Sequence, residues 1–172
     1  TAGRPGVCLV TSGPGGTNTI TGAACAWADS IPQIIISGQV YLNQTIGNSG
    51  LRQLGVQESN IIDLVKPITK YAVMVRDPQD ILKHLEAAWR LATTGRPGPV
   101  WLDIPGNIQS AEIDPDLLAH EEEPLFENRQ ESLRSQISVI SNWLKEAQRP
   151  ILHVGHGVHI AKAMGLLSEL LD

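Results

Sequence analysis

Four short apolar runs, at residues 7–11, 33–37, 70–75 and 100–104, alternate with segments whose apolar residues recur at helical spacing. This alternation restricts the chain to one class of fold. Consecutive buried strands joined through helices must run parallel, and the crossovers lay helices on the sheet's faces. The expected architecture is therefore α/β, a doubly wound parallel sheet. The first run, bounded by Pro/Gly, leads through Gly13-Pro14-Gly15-Gly16 into a helical pattern at 17–28 that carries Ile20, Ala23, Ala24 and Trp27. The second contains three consecutive isoleucines and ends at Gly38. Residues 40–56 have no clean period and read as a loop, and 58–65 read as a short helix broken by Pro67. After the third run, Asp77 is the expected N-cap, with Pro78 at the first helical position. That helix runs to about Thr93 and is expected to present Ile81, Leu82, Leu85, Ala88 and Trp89 on one face. The phrase Gly-Arg-Pro-Gly occurs at 3–6 and 95–98, each time just before an apolar strand, where glycine closes a helix and proline prevents its continuation.

The pattern changes after residue 105. Residues 1–110 form the first domain, and 111–130, with Glu121-Glu122-Glu123-Pro124, read as a solvated linker. Residues 131–172 read as the start of a second, Rossmann-like α/β domain. It comprises a helix at 132–147, a strand at 149–154, and a Gly155-His156-Gly157 turn into a last helix. The chain opens on a turn-like hexapeptide without Met and stops inside a helical pattern, so both ends are expected to be cuts through a longer protein.

Of 172 residues, 42% are hydrophobic and 18% charged, which supports a folded core. A net charge of −5 argues against nucleic acid or an anionic membrane as partner, since both require a basic patch. No apolar run reaches the roughly 18 residues of a membrane span, and no signal-peptide pattern opens the chain. Cys8 and Cys25 lie in apolar segments without metal-ligand spacing, so both are expected to be buried thiols of a cytoplasmic protein. Trp27, Trp89, Trp101 and Trp143 are expected to be core or interface anchors.

The most informative stretch is residues 11–18, Thr-Ser-Gly-Pro-Gly-Gly-Thr-Asn, between a strand and a helix where α/β sheets bind ligands. Its glycines allow close backbone approach, and the helix N-terminus offers free N–H groups. A plain tight turn is the competing reading. The dinucleotide fingerprint fails, because Asn18 stands where its third glycine belongs. His153, His156 and His159 have no Cys or carboxylate cluster nearby. On a strand-turn-helix segment they are expected to point in different directions, so no metal site is assigned.

The run from Gly3 to Asn18 resembles the pyrimidine-binding domain of thiamine diphosphate (ThDP)-dependent 2-oxo acid enzymes, the acetolactate synthase-like family. The resemblance continues through Asp29-Ser30-Ile31-Pro32, Ile36-Ser37-Gly38-Gln39-Val40, Gln57-Glu58, Pro67-Ile68-Thr69-Lys70, Gly95-Arg96-Pro97-Gly98-Pro99-Val100 and Asp103-Ile104-Pro105. It covers about residues 1–110, and residues 149–157 resemble the start of the family's middle domain.

The resemblance implies that Pro14, Gly15, Asn18 and Gln39 border the ThDP aminopyrimidine and that Gln57 borders the substrate channel. It implies a 2-oxo acid substrate, decarboxylation or carboligation, and a catalytic glutamate upstream of Thr1, so that no catalytic residue lies in this chain. It places the diphosphate and Mg2+ site in a domain with a Gly-Asp-Gly motif, absent here, and on a second subunit of a homodimer or tetramer. The isolated chain is expected to be inactive. FAD or ADP binding by the middle domain is a further implication. Val56 stands where acetolactate synthases carry Phe, and the loop at 46–55 includes an additional Leu51-Arg52-Gln53-Leu54. A related carboligase or decarboxylase is equally implied. The alternative is a non-catalytic α/β binding or regulatory module that keeps the fold.

Overall fold

A computed structural model describes residues 4–121 and 130–171. The chain separates into two compact units, 1–123 and 124–172.

The first unit is built on a four-stranded sheet in the order β1-β2-β4-β3, parallel throughout. The strands are β1 (Gly6–Val10), β2 (Gln33–Gln39), β3 (Tyr71–Met74) and β4 (Pro99–Pro105). Helix α1 (Pro14–Asp29) joins β1 to β2, short α2 (Ile61–Val65) precedes β3, and α3 (Ile81–Thr93) joins β3 to β4. A short α4 (Gly106–Gln109) follows β4 directly.

Register and the two-residue side-chain period sort the apolar residues into two layers. One pairing row sets Cys8, Ile35, Trp101 and Ala72 side by side, on the face where Ala23 of α1 and Ile61 and Val65 of α2 pack. The neighbouring rows send Ile34, Ile36, Val100, Leu102, Tyr71 and Val73 to the opposite face, where Ala88, Leu91 and Ala92 of α3 pack. Helices thus cover both faces, as the alternation of strands and helices predicts.

Boundaries move where tertiary contacts decide them. Helix α1 begins at Pro14 rather than residue 17, because proline suits the first helical position and Gly13 supplies the preceding turn at φ 58°. Strand β2 runs two residues past Ser37, because Gly38 and Gln39 pair with Ile104 and Pro105. Asp77 caps as expected, its side chain accepting from the Gln79 N–H, and a 3-10 turn at Pro78–Asp80 then leads into α3. The face of α3 differs from the expectation. Its buried residues are Ala87, Ala88 and Ala92, while Leu85 and Trp89 face outward, because the helix lies close on the sheet and only small side chains fit beneath it. Trp101 alone among the tryptophans is buried in the core; Trp27, Trp89 and Trp143 are 43%, 57% and 66% exposed. Cys8 is half-buried against the core, but Cys25 is exposed, because Ala23 and Ala26 take the inward face of α1.

The segment after β4 folds back on α3. The Ala119 N–H donates to the Gln79 carbonyl, and the Glu121 N–H donates to Glu86 at 2.8 Å. Glu121 is no solvated charge: both its carboxylate oxygens meet the Arg90 guanidinium. Gly3 of the first Gly-Arg-Pro-Gly, residues 122–129 of the predicted linker, and with them Glu122, Glu123 and Pro124, lie outside the described residues.

The second unit contains α5 (Gln130–Glu146), α6 (Gly157–Ile160) and α7 (Met164–Leu171). The expected strand at 149–154 does not form, and Ile151 is 95% exposed. A strand needs a neighbour for its N–H and C=O groups, and among the described residues none pairs with this run. The single last helix is instead two, parted around Lys162 at φ 54°. The His156 and His159 rings lie 5.5 Å apart, so these two side chains converge rather than diverge. No helix among the described residues is long and apolar enough to cross a membrane.

Strand β1 is an edge of the sheet, and Val7 and Leu9, on its face away from α1, are 66% and 79% exposed. An uncovered apolar edge is a template for association. We expect the isolated chain to sediment at micromolar concentration as species larger than its 18.6 kDa monomer. Leu9→Lys should shift it toward monomer. A clean monomer for the unaltered chain would contradict this account.

Candidate functional site

The carboxyl ends of β1, β2 and β4 open on a crevice of about 650 Å3 lined by Leu9, Thr11, Ser12, Gly38, Gln39 and Gln109, among others. Its position follows from the topology, since every parallel strand delivers its outgoing loop to this edge.

Beneath it the sheet carries one polar row. Pairing sets Ser37 of β2 beside Asp103 of β4. Ser37 Oγ donates to Asp103 Oδ1 at 2.6 Å, and Gln39 Nε2 donates to Asp103 Oδ2 at 2.9 Å. Trp101 Nε1 donates to Ser37 Oγ at 2.8 Å. Gln39 Nε2 also donates to the Ser59 carbonyl at 2.8 Å, and Gln39 Oε1 accepts from the Val40 N–H at 3.0 Å. Asp103 is fully buried. Burial pushes its carboxyl up to about 6, while the bonds from Ser37 and Gln39 pull it down.

A second constraint lies at the β1–α1 turn. Gly13 has φ 58° and ψ −119°, a backbone region open to glycine. A Cβ there would lie 2.5 Å from the Gln57 carbonyl oxygen. Gln57 is itself left-handed, at φ 61°. The two backbones touch because both take conformations most residues avoid. Such strain gathers at sites whose geometry is held by their surroundings.

Glu58 supplies much of that hold. Its carboxylate accepts the N–H groups of Ile46, Leu54 (2.7 Å) and Gly55 (3.3 Å), stapling the loop of residues 46–55 to the segment beside Gly13. With both oxygens turned to backbone amides, Glu58 is structural.

The sequence-predicted site residues are only partly brought together. Pro14, Gly15 and Asn18 occupy the first turns of α1, with Pro14 and Asn18 exposed. Exposed Gln57 adjoins that turn through Gly13. Gln39 lines the crevice, but its amide is committed within the protein, so it braces the wall rather than offering a free donor. The glycine at 15 serves packing as well as approach, since a Cβ would lie 2.7 Å from Thr11 Cγ2. Ser37, Asp103 and Glu58 carry the geometry and were not singled out as site residues from sequence. Their signal was present: a polar residue one period on from Ile35 and from Trp101 in otherwise apolar strands marks a buried polar pair.

The crevice combines apolar walls (Leu9, Ile36, Ile104) with hydroxyl and amide groups (Thr11, Ser12, Gln109). That set suits a flat, partly apolar heterocycle. It has no cationic side chain to meet a diphosphate, and among the described residues no cluster of three or more His, Cys, Asp or Glu could hold a metal ion.

The parallel α/β sheet opens a crevice at the carboxyl ends of its strands, the position at which such sheets bind small molecules. Residues 1–63 match the family described as "Thiamine pyrophosphate enzyme, N-terminal TPP binding domain". The chain is 38% identical over 174 residues to the "Probable acetolactate synthase large subunit" of Methanocaldococcus jannaschii, covering 99% of this chain and 28% of that protein. It is 40% identical over 165 residues to the "Acetolactate synthase large subunit" of Corynebacterium glutamicum (94% and 25%). It is also 40% identical over 174 residues to the "Glyoxylate carboligase" of Escherichia coli O157:H7 (100% and 28%). The chain is thus similar to acetolactate synthase-like thiamine pyrophosphate enzymes, and it spans 25–28% of the length of these relatives.

Two outcomes follow from this geometry. Gly13→Ala should destabilise the domain by about 3 kcal/mol in denaturant melts, from forced positive φ and the clash with Gln57. A loss within 0.5 kcal/mol, the range of neutral surface changes, would show that the turn relaxes freely. The second concerns Asp103. Its folded-state value lies above the ordinary 3.8, so the folded protein holds this proton more tightly than the unfolded chain. The stability it confers is full below about pH 3.8 and is lost as pH rises through about 6, a change of about 3 kcal/mol. Unfolding free energies of the unaltered protein and of Asp103→Asn, measured from pH 4 to pH 7, should diverge in that sense. Parallel pH profiles would refute it.

Proposed function

We propose that this chain supplies the aminopyrimidine-facing wall of a thiamine diphosphate enzyme that decarboxylates a 2-oxo acid and transfers the remaining acyl unit to an acceptor. One observation carries the reading: the Gly13-Pro14-Gly15 turn and the Gln57 segment are locked backbone to backbone beside a crevice suited to a heterocycle. The names of the acetolactate synthase and glyoxylate carboligase relatives support the 2-oxo acid class.

In this reading, Pro14, Gly15 and Asn18 border the aminopyrimidine, Gln39 braces that wall from behind, and Gln57 faces the substrate channel. Bound thiamine diphosphate supplies the carbon nucleophile that adds to the 2-oxo acid and accepts the electrons released with carbon dioxide. The chain's own residues orient the ring and exclude water from one side of it. In the same reading, the diphosphate and Mg2+ site is contributed by another domain or by a second subunit. Action in the cytoplasm belongs to the same proposal, as does flavin binding by a middle domain.

Calorimetric titration of the full-length protein with thiamine diphosphate and Mg2+ should give saturable binding, weakened ~10-fold by Asn18→Ala. Pyruvate and glyoxylate, supplied separately, should lose carbon dioxide at different rates, which identifies the substrate. No binding would remove the catalytic reading and leave a fold-retaining binding module.

A further inference from the structure

We propose that Asp103 is a positioning residue: acting through Gln39, its carboxylate anchors the Ser59 carbonyl and so holds the Gln57 backbone against the Gly13 turn. The argument begins with hydrogen-bond direction. An indole N–H only donates, so Ser37 Oγ must accept from Trp101 at 2.8 Å and is left one proton to give. That proton goes to Asp103 Oδ1 at 2.6 Å. Gln39 Nε2 faces two acceptors, the Asp103 carboxylate and the Ser59 carbonyl, while Gln39 Oε1 accepts from the Val40 N–H. The amide therefore has one allowed orientation.

The result is a chain with every proton placed, running from the Trp101 indole to the backbone two residues beyond Gln57. At its far end the Gln57 carbonyl occupies the space a Cβ on Gly13 would need. Without the Asp103 acceptor, Gln39 keeps its bonds to the Ser59 carbonyl and the Val40 N–H but loses the one that ties its amide to β4, and it holds its position less firmly. The tie from β2 to the segment bearing the left-handed Gln57 is then no longer held in place from β4. The role is local, because Trp101, Val100 and Leu102 fix β4 by apolar packing on both faces.

Only the identity of the ligand at this wall rests on the proposed function; the positioning does not. The experiment is amide hydrogen exchange on the full-length protein, followed by thiamine diphosphate titration. Asp103→Ala should speed exchange at residues 57–59, and at the Glu58-bound amides of Ile46, Leu54 and Gly55, by ~10-fold or more, with Val100, Trp101, Leu102 and α3 unchanged. Asp103→Asn should restore slow exchange at these residues, because its Oδ1 still accepts from Gln39, the bond on which the positioning depends. Gln39→Leu, which leaves the Ser37–Asp103 pair intact, should loosen the same residues and serves where the alanine variant does not fold. Cofactor affinity should fall ~10-fold in Asp103→Ala and recover in Asp103→Asn. Unchanged exchange at residues 57–59 would overturn the proposal. So would acceleration spread evenly over the sheet, or failure of asparagine to restore it. If the unaltered protein binds no thiamine diphosphate, the functional reading falls, and the exchange data still decide the positioning role.

Discussion

Strand β4 is buried at every position but Ile104, and it lies between β2 and β3 with helices on both faces. A strand in that position can alternate only between two interiors. Trp101 points to one, beneath α1 and α2, while Val100 and Leu102 point to the other, beneath α3. This explains why small residues line the helix faces that meet it. Gly16 of α1 faces Ile61 and the Trp101 ring, where a Cβ would sit in ordinary contact at 3.5 and 3.8 Å, and α3 approaches through alanines. Helix–sheet distance is set by the large residue in the strand and accommodated by small residues in the helices.

The same burial fixes where chemistry is possible. The central strands β2 and β4 pair on both sides, so between them free polar groups gather where the strands end. The row of Ser37 and Asp103 lies one layer below the buried Gln39–Pro105 row at the carboxyl edge, and Gln39 carries its hydrogen bonds one step further, into the loop. Glu58 works from the other side, drawing the loop of residues 46–55 inward by its amides. Between them they brace a backbone contact, Gly13 against Gln57, that neither residue's conformational preference would form unaided.

The strands and helices of the first unit were legible because continuous apolar runs and helical periodicity are local signals. Their two-faced layering is likewise read directly from residues such as Ile34, Ile35 and Ile36. The outward face of α3 was misread, because Leu85 and Trp89 outweigh three alanines in any tally of hydrophobicity, whereas close packing against a sheet selects for size. The run at 149–154 has strand composition but lacks a partner among the described residues, and composition cannot supply one. The glycine-rich turn was visible as a motif, but its contact with Gln57 joins residues 44 positions apart in sequence and depends on two left-handed conformations that no local pattern encodes. Glu121 is similar: an acidic run suggests solvent, and only the fold brings Arg90 to it.

Asp103 shows why a costly residue can be the specific one. An apolar residue there would avoid burying a charge, and replacing buried ionic groups by apolar ones often stabilises a protein. It would also strand the Ser37 proton and one Gln39 proton beneath a closed layer, a desolvation cost of about 1–3 kcal/mol for each unpaired donor. Asparagine keeps the bond to Gln39 but presents a donor to Ser37, whose proton then has no acceptor at this site. A carboxylate accepts only, so Ser37 and Gln39 must both donate to it, and each hydrogen bond in the chain takes a single direction. The free energy lost in burying the charge is offset by removing alternatives. That matters most at the end of a strand, where the next residues must hold a loop at a fixed distance from a turn with no side chain of its own.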